Sequence, residues 1–321
     1  MTHRLAMYAV AAVMLALSWV GACVIYQAAE VGARIAPLPA REFERLTIIT
    51  IGTGSAYENP ERRGPCTAVG LGSELVLVDA GRGVAEGLRL AQIPVSQPDT
   101  VFLTNLLPEN TMGLDDLIFT GWLAPRERPL RIIGPPGTSE FTRGLLSAYR
   151  MGIAARREGL GLPAKGATLE VFEVEDHWQE RRGELRIRSG TLPGGPLPAL
   201  VWRFEHADRS VVIAGTGWAP EALVDLARGA DMLIHEAVYV PTPEEAEAAG
   251  ITLPAKRLLR EAALHTSILD VGDLAARAGV GTLVLVRMRP PPMFDIQVTP
   301  TVAQRFAGQV VIPEDGDELH P

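Results

Sequence analysis

The chain has 321 residues, of which 47% are hydrophobic, so it is long enough for one large domain or two small ones. Its net charge of −8 argues against a nucleic-acid-binding protein, because such proteins neutralise phosphates with clustered Lys and Arg. Its two cysteines, Cys23 and Cys66, supply neither a disulfide framework nor a cysteine-based zinc knuckle.

The first element is an uncharged apolar segment, residues 5–26. About 20 apolar residues are enough to cross a bilayer as a helix, so this segment is predicted to be a transmembrane helix or signal anchor. Two alternatives stay open: a cleaved signal peptide, whose apolar core is normally shorter, and lipoprotein processing at Cys23, which ends a VGAC sequence. Arg4 before the segment favours a domain outside the cytoplasm, in the periplasm or extracellular space.

The globular part follows a short connection. Residues 27–43 contain two prolines and no sustained periodicity, and they are predicted to be a tether. A single domain is predicted at 44–318. In it, strand patterns come first in runs, such as RLTIITIG and ELRIRSGTL, and later alternate with helical patterns. This order predicts an α/β (α+β) fold, with mixed sheets that have helices packed outside them.

Five longer motifs follow one another along this domain. They are IGTGSAYENPERRGPCTAV, LVLVDAGRG, FLTNLLPENTMGL, VVIAGTGWAPEALVDLARGADMLIHEA and ALHTSILDVGDLAARAGVGTLVLVRM. In sequence and in order they resemble motifs of the metallo-β-lactamase superfamily, in its ribonuclease Z and arylsulfatase-like branch. The resemblance covers nearly all of the domain, and it implies a four-layer αββα sandwich. It also implies a site at which the family binds two zinc ions through His and Asp side chains.

The positions at which that family carries its zinc ligands hold other residues here. Carried over motif by motif, they fall on Asn105, Leu107, Glu109, Asn110, Pro193, Thr216 and Arg287. Leu107 and Pro193 have no donor atom in their side chains, and the neutral Asn and Thr side chains hold zinc poorly. Arg287 is always cationic and repels a divalent ion. We therefore expect no zinc or other cofactor, and Glu109 and Asp79 are the carboxylates left as candidate metal ligands.

Three polar residues of the family motifs are retained. Asp79 of DAGRG is predicted to brace the site loops through hydrogen bonds to backbone amides. In the ribonuclease Z branch, the histidine of the HTS motif resembles a proton donor that is supported by the glutamate of HEA, and these are His265 and Glu236 here. A His–carboxylate pair can transfer protons near neutral pH. Without a metal, however, nothing activates water or stabilises charge on a phosphoryl group.

Two functions stay open. The first is a membrane-anchored, catalytically inactive member of the fold, a pseudo-enzyme that binds or scaffolds, because the ligand positions have changed while DAGRG and LIHEA are intact. Such a protein would form a homodimer, or a heterodimer with an active paralogue, as the halves of long-form ribonuclease Z do. The alternative is a hydrolase of phosphodiesters or sulfate esters with an altered or single-metal site that uses Glu236 and His265. No nucleic-acid partner is expected.

Overall fold

The computed structural model describes residues 2–57, 59–124, 126–215, 217–250, 252–289 and 295–321. The chain divides into two compact units, Met1–Pro39 and Ala40–Pro321. The first unit consists of one helix, α1 (Thr2–Ile35), and a short non-helical end. The second unit contains all of the strands and the remaining helices among the described residues.

The predicted transmembrane helix at 5–26 is wrong. In the part of the chain that the structure describes, no helix combines the length and the apolar character that crossing a membrane requires. The prediction of a membrane-anchored protein, with its domain outside the cytoplasm, rested on that span and is corrected with it. Because α1 continues to Ile35, the first part of the segment predicted as a tether, 27–43, is also helical.

Two seven-stranded sheets form the second unit. The first sheet contains β1 (Phe43–Gly52), β2 (Cys66–Gly72), β3 (Glu74–Val78), β4 (Thr100–Phe102), β5 (Leu130–Gly134), β6 (Leu169–Glu173) and β14 (Glu318–Leu319). The second sheet contains β7 (Gln179–Arg182), β8 (Leu185–Leu192), β9 (Ala199–His206), β10 (Arg209–Ala214), β11 (Met232–Val238), β12 (Thr282–Arg289) and β13 (Gln309–Val311). The strand orders are β14-β1-β2-β3-β4-β5-β6 and β13-β12-β11-β10-β9-β8-β7.

Each sheet has an antiparallel part and a parallel part. In the first sheet, β14 to β3 pair antiparallel, whereas β3 to β6 pair parallel. In the second sheet, β7 to β10 pair antiparallel, whereas β10 to β13 pair parallel. Since parallel strands run in one direction, their carboxyl ends lie at one edge of each sheet, where sites of α/β proteins commonly form.

Helices lie between the strands along the second unit, and those numbered 2, 4, 7 and 10 pack on the outer faces of the sheets. The helices are α2 (Val84–Leu90), α3 (Pro108–Thr111), α4 (Leu114–Leu123), α5 (Thr138–Ala148), α6 (Arg150–Leu160), α7 (Pro220–Ala227), α8 (Pro243–Ala248), α9 (Ala255–Ala262), α10 (Val271–Ala278) and α11 (Asp295–Ala303), with a 3-10 turn at Ala164–Ala167. The hydrophobic core accordingly has three parts: one between the sheets, one beneath α2 and α4, and one beneath α7 and α10. The predicted α/β sandwich is confirmed.

The contact between the two sheets fixes how their edges meet. Phe102 and Trp202 face each other in this layer with ring centroids 4.7 Å apart, and the Trp202 indole donates a hydrogen bond to the carbonyl of Leu103 at 3.1 Å. Nearer the edge, the amide of Leu200 donates to the carbonyl of Thr104 at 2.7 Å. These bonds bring the carboxyl end of β4 against the second sheet.

Candidate functional site

The candidate site lies where the strands of both sheets end. In the first sheet, Asp79 directly follows β3, and its amide donates to the carbonyl of Phe102 at the end of β4 at 2.8 Å. In the second sheet, Arg287 lies near the end of β12, and its amide donates to the carbonyl of Thr53 in the first half of the chain at 2.7 Å. The backbone alone therefore places these two side chains at one junction.

A buried ion pair joins the sheets at this junction. Nη2 of Arg287 lies 2.5 Å from Oδ2 of Asp79, and Nη1 donates to Oδ1 of Asn110. Asp79 and Asn110 are fully buried, and Arg287 is 7% exposed. The carboxylate also accepts from the amide of Thr104 at 2.8 Å, which is the kind of backbone hydrogen bond predicted for it, and from the Thr104 hydroxyl. The arginine charge is thus neutralised inside the protein.

Both charged residues adopt a strained backbone conformation. Asp79 has a φ of 61° and Arg287 a φ of 55°, in the left-handed region that favours glycine. A non-glycine residue in this region costs about 1–3 kcal/mol and persists only where its surroundings hold it. Here the ion pair and its hydrogen bonds hold both residues, so the strain and the network depend on each other.

The loop after β4 completes the network. Nδ2 of Asn110 donates to Oδ1 of Asn105 at 2.7 Å, and the same oxygen accepts from the amide of Leu107 at 2.9 Å. Leu107 turns its side chain to the apolar core beneath α7 and α10. In the described part of the chain, the side-chain nitrogen Nδ2 of Asn105 is buried without a hydrogen-bond partner. The loop is therefore ordered by amide–amide hydrogen bonds.

The acid–base behaviour of Asp79 is set by two opposing effects. Complete burial raises the pKa of its carboxyl above the ordinary value, because the charged form loses its hydration. The guanidinium of Arg287 and the hydrogen bonds from Thr104 favour the charged form and oppose that shift. Removing the guanidinium would leave only the hydrogen bonds from Thr104 to oppose the effect of burial.

A cavity of 200 Å³ opens beside this network. Arg287, Glu109 and Leu107 line it together with Glu236, His265 and Arg289; the rest of its wall includes Ser55, Ala56, Pro65, Pro196, Gly215, Trp218, Val238 and Leu264. The wall is mostly apolar, with a few polar groups at one side, as is usual for small-molecule sites.

Glu236 and His265 form a pair at the cavity wall. Nδ1 of His265 lies 3.0 Å and 3.1 Å from the two carboxylate oxygens of Glu236. The Glu236 side chain is 5% exposed and that of His265 is 26% exposed. The amide of Thr266 also donates to Glu236, at 3.3 Å. This arrangement fixes the imidazole and leaves its Nε2 to exchange a proton with a bound molecule.

The neighbouring His235 is in a different state. It is fully buried, and its Nε2 lies 2.8 Å from the hydroxyl of Thr266. Burial lowers the pKa of His235 to about 4, because a charged imidazole cannot be hydrated there. His235 is therefore neutral at pH 7 and acts as a core hydrogen-bonding residue.

Most of the sequence-predicted site residues meet at this junction, with two exceptions. Pro193 is exposed and lies outside the cavity wall, and Pro196 lines the cavity in its place. Thr216 lies outside the described residues, although its neighbour Gly215 lines the cavity. Across the described ranges, no three His, Cys, Asp or Glu residues group in a way that could hold a metal ion.

Arg289 and Trp218 are among the residues of the cavity wall that sequence reasoning missed. Arg289 pairs with Glu261 at 2.6 Å and stacks over the Tyr57 ring at 4.9 Å. It is two residues beyond Arg287 on β12, so the two-residue period of a strand could have placed it on the same side. Trp218 follows the GTG turn, and no sequence pattern indicated that its indole would reach the cavity.

No family model matches the chain. Among proteins of known sequence, it is 34% identical over 284 residues to "Ribonuclease Z" of Mycolicibacterium gilvum (strain PYR-GCK). This alignment covers 86% of this chain and 95% of the relative. It is 33% identical over 284 residues to "Ribonuclease Z" of Mycobacterium avium (strain 104), in an alignment that covers 86% of this chain and 97% of that relative.

Solved structures share the fold. The metallo-beta-lactamase fold protein YhfI from Bacillus subtilis superposes with a TM-score of 0.65 at 17% identity, over 86% of this chain and 99% of that one. The short form of human tRNase Z superposes with a TM-score of 0.63 at 18% identity, over 85% and 98% of the two chains.

The buried ion pair generates a prediction about stability. Arg287→Met should lower the free energy of unfolding by about 3–5 kcal/mol, because it leaves the Asp79 carboxyl buried without its partner. Adding Asp79→Asn should recover most of that loss, since no buried charge then remains. Chemical denaturation measures the free energy of unfolding of both variants. The control is Arg277→Met, which removes an arginine from an exposed ion pair and should change that free energy little. A double variant no more stable than Arg287→Met contradicts the prediction.

Burial of neutral His235 predicts a pH dependence. Its pKa is about 4 in the folded protein and about 6.5 when unfolded, so the unfolded state takes up a proton first as the pH falls. The free energy of unfolding should therefore decrease by about 1.6 kcal/mol between pH 6.5 and pH 5 through this residue. Urea denaturation at both pH values should show a smaller decrease in His235→Gln than in the wild type or in the control His206→Gln. Equal decreases in all three proteins would refute this.

Proposed function

The chain belongs to the ribonuclease Z family within the metallo-β-lactamase superfamily, and from this premise we propose that it is a catalytically inactive member, a binding protein that keeps the fold without the zinc chemistry. The family supplies the scaffold and the position of the site. The side chains at that site support the loss of metal-dependent hydrolysis.

One observation carries the proposal: the guanidinium of Arg287 forms an ion pair with Asp79 at the junction of the two sheets. Arg287 falls on a ligand position of the family, and its charge is permanent. A zinc ion at this junction would face that positive charge and compete with it for the same carboxylate. The positive charge that balances the buried Asp79 carboxylate thus comes from a side chain of the protein itself.

The side chains present do not fit a dinuclear zinc centre. Zinc in proteins is held by thiolate, imidazole and carboxylate groups. At the family's ligand positions among the described residues, Glu109 is the only side chain of this kind. The amides of Asn105 and Asn110 are neutral and are already hydrogen bonded to each other.

The cavity beside the ion pair is the proposed binding site. Its volume of 200 Å³ suits a ligand of few atoms, or one short group of a larger partner. Its wall offers apolar surface from Trp218 and Val238, together with Glu109 and His265 as polar groups. We extend the proposal to a paired form, a homodimer or a heterodimer with an active paralogue, which light scattering and copurification would detect.

Metal analysis of the purified chain tests the proposal. We expect less than about one-tenth of an equivalent of zinc, manganese or iron after dialysis, because one carboxylate cannot hold an ion tightly. We also expect the same melting temperature with added zinc and with a chelator, since a bound ion would stabilise the folded state. The proposal is overturned if the wild type holds near-stoichiometric metal and Glu109→Ala loses it. The control variant Glu42→Ala should then keep the metal that the wild type holds.

A second candidate function is a hydrolase that works without a dinuclear centre. The contact of 3.0 Å between His265 and Glu236 favours it, because such a pair can donate and accept protons. Its substrates would be phosphodiesters or sulfate esters. In this mechanism water attacks the phosphorus or sulfur atom and gives up a proton to the solvent as the bond to the leaving oxygen breaks. Glu236 orients the imidazole, and Nε2 of His265 donates the proton that the leaving oxygen takes up.

Activity of the metal-free chain distinguishes the candidates. With chelator present, the binding protein should not cleave bis(p-nitrophenyl) phosphate or p-nitrophenyl sulfate above the buffer rate. Cleavage that falls by about 100-fold or more in His265→Ala, and persists in the surface control His206→Ala, supports the hydrolase instead. A lower kcat with an unchanged KM in Glu236→Gln, with a loss smaller than that in His265→Ala, would assign the positioning role of Glu236.

A further inference from the structure

The antiparallel half of the second sheet carries an arginine-rich outer face, away from the cavity described above. Arg186 and Arg188 project from β8, and Arg203 projects from β9. Their guanidinium groups share one carboxylate, that of Glu205, at distances of 3.8, 2.6 and 2.9 Å. Three positive charges against one negative charge leave a local excess of two, in a chain whose net charge is −8.

The strand register makes this excess unfavourable for the protein by itself. Arg188 and Arg203 are directly opposite each other on the paired strands β8 and β9. Like charges at directly opposed positions destabilise a sheet. Within the described ranges, Glu205 is the only carboxylate in an ion pair with either arginine. One oxygen of Glu205 accepts from both guanidinium groups, and a second anion beside them would offset the positive charge that remains.

A concavity of 500 Å³ lies over this pair, and we call it the arginine groove. Its wall includes Arg188, Arg203 and Arg228, with His177 and Asp225 at the sides. Asp225 pairs with Arg228 at 2.6 Å and so balances one of the three arginines. Because Arg188 and Arg203 share the single charge of Glu205, one positive charge in the wall of the arginine groove is left uncompensated.

The adjacent concavity provides an internal comparison. It has 530 Å³ and lies on the other side of Arg203. Its wall holds four arginines, Arg181, Arg186, Arg203 and Arg209, and four carboxylates, Glu184, Glu205, Asp208 and Asp231. Because these charges balance, the attraction for an anion is concentrated in the arginine groove.

Arg203 is held in place before any ligand arrives. One of its terminal nitrogens donates to the carbonyls of Leu226 and Arg228 at 3.5 and 3.1 Å, at the end of α7. Its side chain is 19% exposed, whereas that of Arg188 is 47% exposed. Because Arg203 is already fixed, binding a ligand here costs less conformational entropy than ordering two free side chains would.

We propose that the arginine groove binds a small ligand with two or more linked phosphate groups. Guanidinium groups donate strong, charge-assisted hydrogen bonds to phosphate oxygens, and the exposed Arg188 beside the fixed Arg203 can supply such bonds to linked phosphates. The size of the concavity is that of a small-molecule site. This site is separate from the cavity at the sheet junction and does not depend on the function proposed for that cavity.

Calorimetric titration of the full chain with inorganic pyrophosphate tests the proposal. We expect saturable binding that Arg188→Gln weakens by about 10-fold or more, as the loss of a charged hydrogen bond would do. Arg228→Gln, which changes a second exposed arginine of the groove, should weaken binding in the same direction. The matched control Arg156→Gln on the exposed face of α6 should leave the affinity unchanged. His265→Ala should also bind as the wild type does.

Two comparisons exclude a general charge effect. Sulfate at the same ionic strength should bind at least about 10-fold more weakly than pyrophosphate, because it carries less negative charge and has fewer oxygens to accept hydrogen bonds. Pyrophosphate should raise the melting temperature of the wild type but not of Arg188→Gln. The proposal is overturned if pyrophosphate does not bind at about 1 mM, if sulfate binds equally well, or if Arg156→Gln weakens binding as much as Arg188→Gln.

Discussion

The ion pair between Arg287 and Asp79 is the interaction on which the rest of the site depends. It connects the end of β3 in the first sheet with β12 in the second, and it binds the loop after β4 through Asn110. All three side chains are buried, so each needs the others to avoid an unpaired polar group. The position of the cavity wall, including its retained Glu236–His265 pair, follows from the junction that this network closes.

The network also explains how a metallohydrolase scaffold can tolerate the exchange of its ligand residues. A cluster of carboxylates and imidazoles at strand ends is stable only with a cation among them. With Asn and Leu at most of these positions and one arginine added, the charge of the buried Asp79 carboxylate is balanced. The strained backbone at Asp79 and Arg287 remains, because the new hydrogen bonds hold both residues.

Much of the fold and of the candidate site could be predicted from the sequence. The motifs indicate where strands end, and the residues at the strand ends meet at one edge of the sheets. That reasoning placed Asp79, Asn105, Asn110 and Arg287 at one site. It could not show that Arg287 pairs with Asp79, because the partners are 208 residues apart and rotamer and burial decide the contact. It misplaced Pro193, which lies in a loop without a period to fix its direction. It also took the apolar composition of 5–26 for a membrane span.

A cation that is part of the polypeptide cannot dissociate. In a protein that recruits a metal ion, the occupied fraction of the site and the stability gained from binding vary with the free concentration of that ion. The guanidinium of Arg287 is present at a fixed, intramolecular effective concentration, so the charge balance around Asp79 is independent of the ionic composition of the surroundings. The junction between the two sheets should therefore be equally well formed in a metal-starved cell and in a metal-rich one.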